Sequence, residues 1–196
     1  MRELRPTLTF APELLLKAQG IRAAIFDVDG VLTDGRLYIS EAGETLKTFN
    51  VLDGHGLKLL TQAGITPLVV TGRDSPAVRR RLADLGLQHA AFGAHDKVAA
   101  AEQLLSNLQV GWDELAVIGD DWPDLPLMLR ARFVAAPAQA HVEVRALADY
   151  VTALPGGLGA AREFCDLLLI ASGRYADLLT GGSLATLDAA VRPVGA

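Results

Sequence analysis

Short apolar runs alternate with helical patterns along most of this 196-residue chain. Several of the runs are apolar throughout, as expected for strands that are covered on both faces. The stretches between them space their apolar residues at helical intervals. This alternation predicts a Rossmann-like, three-layer α/β/α fold with a mainly parallel sheet. The strand-length runs are 21–26, 66–70, 88–92, 115–118, 132–136 and 149–152, and the helical stretches between them are 56–64, 75–86, 95–108 and 123–130. A further helix is predicted over 159–172.

One insertion interrupts the alternation. Residues 35–51 have the pattern of two strands around a turn at Glu41–Gly43, which predicts a β-hairpin, here called the flap (about 35–50). Residues 173–196 are rich in Gly and Ala and only weakly patterned, which indicates a C-terminal tail and not a second domain. We therefore predict a single domain over residues 1–196.

Composition excludes several classes of partner. The net charge is −5 and the basic residues form no long run, so nucleic acid is not an expected partner. No segment has the roughly 18 uninterrupted apolar residues of a membrane span, and the N-terminus lacks the pattern of a secretory signal. The single cysteine, Cys165, cannot form an intrachain disulfide. These features predict a cytoplasmic protein without membrane partners.

Polar residues follow the predicted strands at one edge of the sheet. Asp27 and Asp29 come directly after the first run, and Thr71 follows the second. Lys97 begins the helical stretch after the third run, and Asp120 follows the fourth. Because the carboxyl ends of parallel strands share one edge, these side chains are expected to meet there.

This set of residues suits phosphoryl transfer from a phosphomonoester. A carboxylate can attack phosphorus and form an aspartyl-phosphate, and a second acid can protonate the leaving alcohol. Several carboxylates in one place repel one another unless a cation is present, and hard oxygen ligands suit Mg²⁺. We expect Asp121 and Asp124 to orient Asp120 and Lys97 without binding the metal.

The same residues resemble the four motifs of the haloacid dehalogenase-like hydrolases. The motifs correspond to Asp27-x-Asp29, Thr71, Lys97 and Gly119-Asp120-Asp121. The resemblance extends over nearly all of residues 20–173 and includes the segments "GETLKTFNVLDGHGLKLL" and "GGLGAAREFCDLLL". Within the family, the chain is similar to phosphatases that act on the 8-phosphate of an eight-carbon ulosonate. This ulosonate is a sugar acid of lipopolysaccharide precursor synthesis.

The resemblance implies a role for each motif residue. Asp27 would be the nucleophile and a metal ligand. Asp29 would be the general acid/base and would offer its backbone carbonyl to Mg²⁺, and Asp120 would be the third protein ligand. Thr71 and Lys97 would hold the phosphoryl group, which completes the catalytic set.

The resemblance also implies a substrate-binding set and an assembly. The group has no large cap domain; the flap and homotetramer packing close the site, and a neighbour's tail, here Thr180–Ala185, can reach it. Leu52 and Lys58 stand where some relatives carry arginine, so a nine-carbon ulosonate 9-phosphate remains an alternative substrate. The implied substrate-binding residues are Asp29, Asn50, Val51, Leu52, Asp53, Gly54, Lys58, Arg73, Arg81 and Lys97.

Two hypotheses from other classes compete with the phosphatase. A signalling receiver domain also surrounds an aspartyl-phosphate with acids, Thr and Lys, but there the acidic pair comes first and the phosphorylated Asp later. Here the order is reversed. A catalytically silent assembly subunit is the second alternative, and the crowding of Asp27, Asp29 and Asp120 argues against it because an idle site does not need to bear that repulsion.

Overall fold

The central sheet lies between two layers of helices in the computed structural model, which describes residues 4–181. Within these residues the sheet has six strands, all parallel, in the order β5-β4-β1-β6-β7-β8. This arrangement confirms the predicted α/β/α fold. The strands of the sheet are β1 (Ala23–Phe26), β4 (Thr66–Val70), β5 (Ala90–Ala91), β6 (Leu115–Ile118), β7 (Phe133–Ala136) and β8 (Tyr150–Val151).

The helices follow the predicted order with differences at their ends. Helix α2 begins at Val51 and not at the predicted residue 56, because the Asn50 side chain caps it by accepting a hydrogen bond from the Leu52 N–H at 2.8 Å. Helices α1 and α6 were not predicted from the sequence. The helices are α1 (Pro12–Lys17), α2 (Val51–Gln62), α3 (Pro76–Leu85), α4 (Lys97–Leu108), α5 (Leu125–Met128), α6 (Val142–Leu147) and α7 (Ala160–Ala171).

The two faces of the sheet bury separate apolar clusters. Successive residues of β1 point to opposite faces, so Ala24 and Phe26 pack with α2, α3 and α7, whereas Ala23 and Ile25 pack with α4, α5 and α6. On the first face, Phe164 of α7 contacts the ring of Phe26, with a centroid distance of 5.5 Å. Burial on both faces explains why the strands read as continuous apolar runs.

The flap forms at its predicted position. Strands β2 (Tyr38–Ser40) and β3 (Gly43–Leu46) pair antiparallel and make a separate two-stranded sheet. After α7, residues 175–181 are helical, and Tyr175 and Leu178 pack against the core. The rest of the predicted tail, including residues 182–185, lies outside the described residues. Among residues 4–181, no helix is both long enough and apolar enough to cross a membrane.

A glycine segment between β8 and α7 packs directly on the loop that follows β1. The Gly157 N–H donates to the Val31 carbonyl at 2.9 Å. The Gln139 side chain joins the two segments, since it donates to the Gly30 carbonyl at 2.7 Å and accepts from the Gly156 N–H at 2.8 Å. This contact fixes the loop that carries Asp27 and Asp29.

The substitution Gly156→Ala tests this contact. A Cβ at residue 156 would lie 1.8 Å from the Gly30 carbonyl oxygen, so one of the two backbone segments must move. We expect a loss of about 1–3 kcal/mol in the free energy of unfolding, measured by denaturant titration. Gly72→Ala is the matched control, because a Cβ there meets no atom within 4 Å. Equal stability of the two variants would contradict the packing described here.

Candidate active site

The loop after β1 brings two acids to the edge of the sheet. Asp27 directly follows the strand, and its N–H donates to the Ile118 carbonyl at 3.2 Å. The loop then turns through Gly30, whose φ of +94° is a conformation that favours glycine. A Cβ at Gly30 would lie 2.1 Å from Asp120 Oδ2, so glycine is needed both for the turn and for the approach of Asp120.

Lys97 provides the positive charge at this edge. As the first residue of α4, it is placed by Asp96, which caps the helix by accepting from two backbone N–H groups. Its Nζ donates to Asp27 Oδ1 and to Asp124 Oδ1, both at 2.7 Å, and all three side chains are buried. Burial works to lower the pKa of Lys97, but the two carboxylates prevail and raise it, so the side chain is a fixed ammonium.

Three carboxyl groups share this edge. Asp27, Asp120 and Asp124 each offer an oxygen atom, and the three oxygens lie within 4.8 Å of one another. Burial and the neighbouring Asp124 charge raise the pKa of Asp27 to about 7. Burial and the charges of Asp27 and Asp124 raise the pKa of Asp120 to about 8. The site therefore carries more negative charge than Lys97 alone can balance.

Asp124 holds its neighbours in place, as the sequence predicts. Its Oδ2 accepts the Asp120 N–H at 3.0 Å while its Oδ1 accepts from Lys97. Both oxygens of this buried carboxylate are thus engaged by the protein. The predicted phosphoryl-binding residue Thr71 lies at the carboxyl end of β4, which neighbours β1, and its Oγ1 accepts from the Arg73 N–H at 3.3 Å.

The flap contributes residues that sequence reasoning missed. Lys47, directly after β3, is buried and forms a short ion pair with Asp29. Its Nζ also lies 3.2 Å from Glu44 Oε2, and the Ser75 hydroxyl donates to the other oxygen of Glu44. The sequence signal that could have found them is the Glu44–Lys47 pair, because it lies within the predicted flap.

The predicted substrate-binding residues divide into two groups by position. Val51 and Leu52 are exposed in the first turn of α2, and Lys58 is exposed further along this helix. Arg73 is exposed, and its Nε lies 3.8 Å from Asp29 Oδ2. These side chains are open to a ligand.

The second group has partners within the protein. The Asp53 carboxylate accepts the Arg162 N–H at 2.8 Å and the Gly159 N–H at 3.3 Å, so it holds the start of α7. The carboxylate is therefore engaged within the protein, and the contact of Asp53 with substrate stays a prediction. Arg81 Nη2 donates to the Asn50 carbonyl at 3.2 Å and leaves no room for a side chain at Gly54.

Comparisons with known proteins show the family to which this chain belongs. A haloacid dehalogenase-like hydrolase model matches residues 91–155. The 3-deoxy-D-manno-octulosonate 8-phosphate phosphatase of Salmonella typhimurium is 43% identical over 164 residues, which are 84% of this chain and 87% of the relative. The chain belongs to the haloacid dehalogenase-like hydrolases. This hydrolase is an enzyme of the phosphomonoester-hydrolysing class, as the sequence predicts.

Two solved structures of similar proteins contain a divalent metal. One is the 3-deoxy-D-manno-octulosonate 8-phosphate phosphatase of Moraxella catarrhalis in complex with magnesium, phosphate and KDO (TM-score 0.83, 38% identity, 87% of this chain and 98% of that chain). The other is the cobalt-bound deoxy-D-mannose-octulosonate 8-phosphate phosphatase of Haemophilus influenzae (TM-score 0.79, 42% identity, 81% and 93%).

The carboxylates of this hydrolase fit a divalent cation. Their oxygen atoms are the ligands that hard cations prefer. Burial and the charges of neighbouring carboxylates raise the pKa values of Asp27 and Asp120, an effect that a bound cation would oppose. Gly30 keeps the space beside Asp120 free of a side chain.

The pH dependence of stability tests this charge imbalance. Asp27 and Asp120 have folded pKa values above their ordinary value of 3.8, so the metal-free folded state binds their protons more tightly than the unfolded chain. Their contribution to stability is full below about pH 4 and is lost as the pH rises through about 7 to 8. We expect Mg²⁺ to raise the melting temperature more at pH 8 than at pH 5, relative to EDTA.

A matched pair of variants assigns the effect to the site. Asp120→Asn removes one of the crowded charges, so its metal-free form should lose less stability between pH 5 and pH 8. Asp84→Asn, which changes an acid paired with Arg80 on the surface, should keep the original pH dependence. An equal response to Mg²⁺ at both pH values would contradict the account.

Proposed function

We propose that this hydrolase is a Mg²⁺-dependent phosphatase that converts 3-deoxy-D-manno-octulosonate 8-phosphate to the free sugar acid and phosphate, in lipopolysaccharide precursor synthesis. The observation that carries the proposal is the buried Asp27 carboxylate, held by Lys97 at 2.7 Å beside Asp120 and Asp124. The 43% identity to a phosphatase of this substrate supports the choice of sugar.

In the first step of the proposed reaction, a carboxylate oxygen of Asp27 attacks phosphorus. The bond between phosphorus and the sugar oxygen breaks, and that oxygen takes a proton from Asp29 to leave as a hydroxyl group. Lys97 fixes Asp27 through its Oδ1, and Lys97 and Thr71 are the proposed partners of the phosphoryl oxygens.

In the second step, water hydrolyses the aspartyl-phosphate. The water oxygen attacks phosphorus and gives a proton to Asp29, which lost one in the first step. The bond between phosphorus and Asp27 breaks, so the carboxylate is restored and inorganic phosphate leaves. Asp29 therefore returns to its starting protonation state and the cycle closes.

Asp27, Asp120 and the backbone carbonyl of Asp29 are the proposed ligands of Mg²⁺. The bound ion would supply positive charge that offsets the carboxylates and the phosphoryl group. Asp124 is placed to orient Asp120 and Lys97, since each of its oxygens already accepts from one of them.

The proposed sugar-binding residues lie on α2, on α3 and in the loop after β4. A sugar acid carries a carboxylate, which arginine and lysine bind well, and Arg73, Arg81 and Lys58 are the cationic candidates. Residues 50–54 at the start of α2 are proposed to make the remaining contacts, with Asp53 contributing its backbone because its carboxylate is engaged by Gly159 and Arg162. A nine-carbon ulosonate 9-phosphate is the second candidate substrate, because Leu52 and Lys58 stand where some relatives have arginine and so leave the choice of sugar acid open.

The proposal includes a cytoplasmic homotetramer. The flap exposes apolar side chains, among them Ile39 with 63% and Leu46 with 52% of their surface accessible, and contact with other subunits would cover them. The lone, buried Cys165 suits a reducing compartment.

Phosphate release by Asp27→Asn tests the nucleophile. With Mg²⁺, the unsubstituted protein should release phosphate from 3-deoxy-D-manno-octulosonate 8-phosphate faster than from simple sugar phosphates. The amide of Asp27→Asn cannot attack phosphorus, so we expect a loss of at least about 10⁴-fold in kcat. Asp113→Asn, an exposed acid remote from the site, is the control and should keep full activity. Undiminished turnover by Asp27→Asn would overturn the mechanism.

Ile39→Asp tests the assembly. The unsubstituted protein should have four times the 20.7 kDa chain mass in light scattering. A carboxylate at the exposed position 39 would be buried in the proposed contact, so we expect dissociation to smaller species. Leu129→Asp, which places the same charge at an exposed leucine away from the flap, should remain tetrameric. A monomeric unsubstituted protein would contradict the proposal.

A further inference from the structure

Lys47 is buried almost completely, although its charge would be solvated at a surface position. Only 1% of its side-chain surface is exposed, and an ammonium group in such a place is costly unless anionic groups surround it. Two carboxylates do so: Asp29 from the loop after β1 and Glu44 from β3. The lysine therefore joins the flap to the loop that carries the proposed acid/base.

The contact between Lys47 and Asp29 leaves the two carboxylate oxygens in different surroundings. Lys47 Nζ donates to Oδ1 of Asp29. The other oxygen, Oδ2, lies 3.8 Å from Arg73 Nε, beyond hydrogen-bond distance. One oxygen is held by the flap, and the other is open to exchange a proton.

The position of Lys47 is fixed by a chain of contacts that runs through Glu44 to Ser75, directly before α3. Glu44 Oε2 lies 3.2 Å from Lys47 Nζ, and the Ser75 hydroxyl donates to Glu44 Oε1. Ser75 is buried and directly precedes α3, so it is a rigid anchor for the flap. The ammonium is thus held between the flap, α3 and the loop after β1.

We propose that Lys47 is a positioning residue for Asp29: it holds Oδ1 so that Oδ2 faces the oxygen of the leaving sugar. The inference rests on the proposed role of Asp29 as the acid in the first step. Lys47 itself transfers no proton in this reaction. It acts by fixing the distance and direction over which Asp29 transfers one.

This role has a consequence that depends on the leaving group. A sugar alkoxide is a poor leaving group and needs the proton of Asp29, whereas p-nitrophenolate leaves readily without protonation. The value of kcat/KM covers the steps up to departure of the leaving group and not the later hydrolysis of the aspartyl-phosphate. Loss of Lys47 should therefore lower kcat/KM for the sugar-acid phosphate selectively.

The experiment compares Lys47→Met with the unsubstituted protein on two substrates with Mg²⁺ present. For 3-deoxy-D-manno-octulosonate 8-phosphate we expect kcat/KM to fall by about 10²-fold, the usual contribution of general acid catalysis, with most of the loss in kcat. For p-nitrophenyl phosphate we expect it to stay within about threefold, which also shows that the variant is folded. Lys47→Arg keeps the charge and should recover part of the loss on the sugar substrate.

Two further variants separate this inference from the proposed function. Asp29→Asn should show the same selective loss on the sugar substrate. Adding Lys47→Met to Asp29→Asn should lower kcat/KM little further, because both substitutions impair the same proton transfer. Lys17→Met, which makes the same substitution in a surface ion pair with Asp149, should change neither substrate.

An equal loss on both substrates, or no loss on either, would overturn the positioning role. If Lys47→Met does not fold and is inactive on both substrates, the role is overturned when Lys47→Arg also lacks a selective loss. If Asp29→Asn itself lacks the selective loss, the proposed role of Asp29 fails and the inference fails with it. A selective loss in Asp29→Asn that is absent in Lys47→Met overturns the inference alone.

Discussion

The balance of charge around Lys97 is the constraint on which the site depends. One buried ammonium is shared by two buried carboxylates, Asp27 and Asp124, at equal distances of 2.7 Å, and the carboxyl group of Asp120 lies close by. Negative charge in a buried place is costly unless it is paired, so this arrangement is stable only with protons, a cation or both. A phosphatase has a use for such a site, because a cation that offsets the carboxylates also offsets the phosphoryl group.

The parallel sheet makes this concentration of charge possible without a local sequence cluster. β1, β4 and β6 are neighbours in the sheet and end at the same edge, so residues from distant parts of the chain meet there. Glycines allow the loops at this edge to pack closely. Gly30 lets the Asp120 carboxyl group approach, and Gly156 lets its segment pack on the Gly30 carbonyl. The same packing that supports the fold thus fixes the geometry of the acids.

Much of the fold and of the sheet-edge site follows from the sequence, because strand-length apolar runs and the residues after them are local signals. The six strands and the meeting of Asp27, Lys97 and Asp120 are of this kind. The positions of Asp53 and Lys47 are not. Asp53 holds the start of α7 about a hundred residues further along the chain, and Lys47 reaches Asp29 only because the hairpin folds back over the loop. Contacts between distant segments leave no periodic pattern, so sequence reasoning anticipated neither of these two contacts.

The sheet edge and the segments beside it have different proposed roles in this site. Lys97, Asp120 and Asp124 stand on the sheet edge and its helices, and in the proposed mechanism they lie beside the phosphoryl group, which is the same in every phosphomonoester. The leaving group differs from one substrate to another, and the side chains proposed to meet it come from the flap, the first turn of α2 and the loop with Arg73. Since a hydrolase selects among phosphomonoesters by the part that leaves, we expect its choice of substrate to be set by the flap, α2 and the loop with Arg73 and not by the sheet edge.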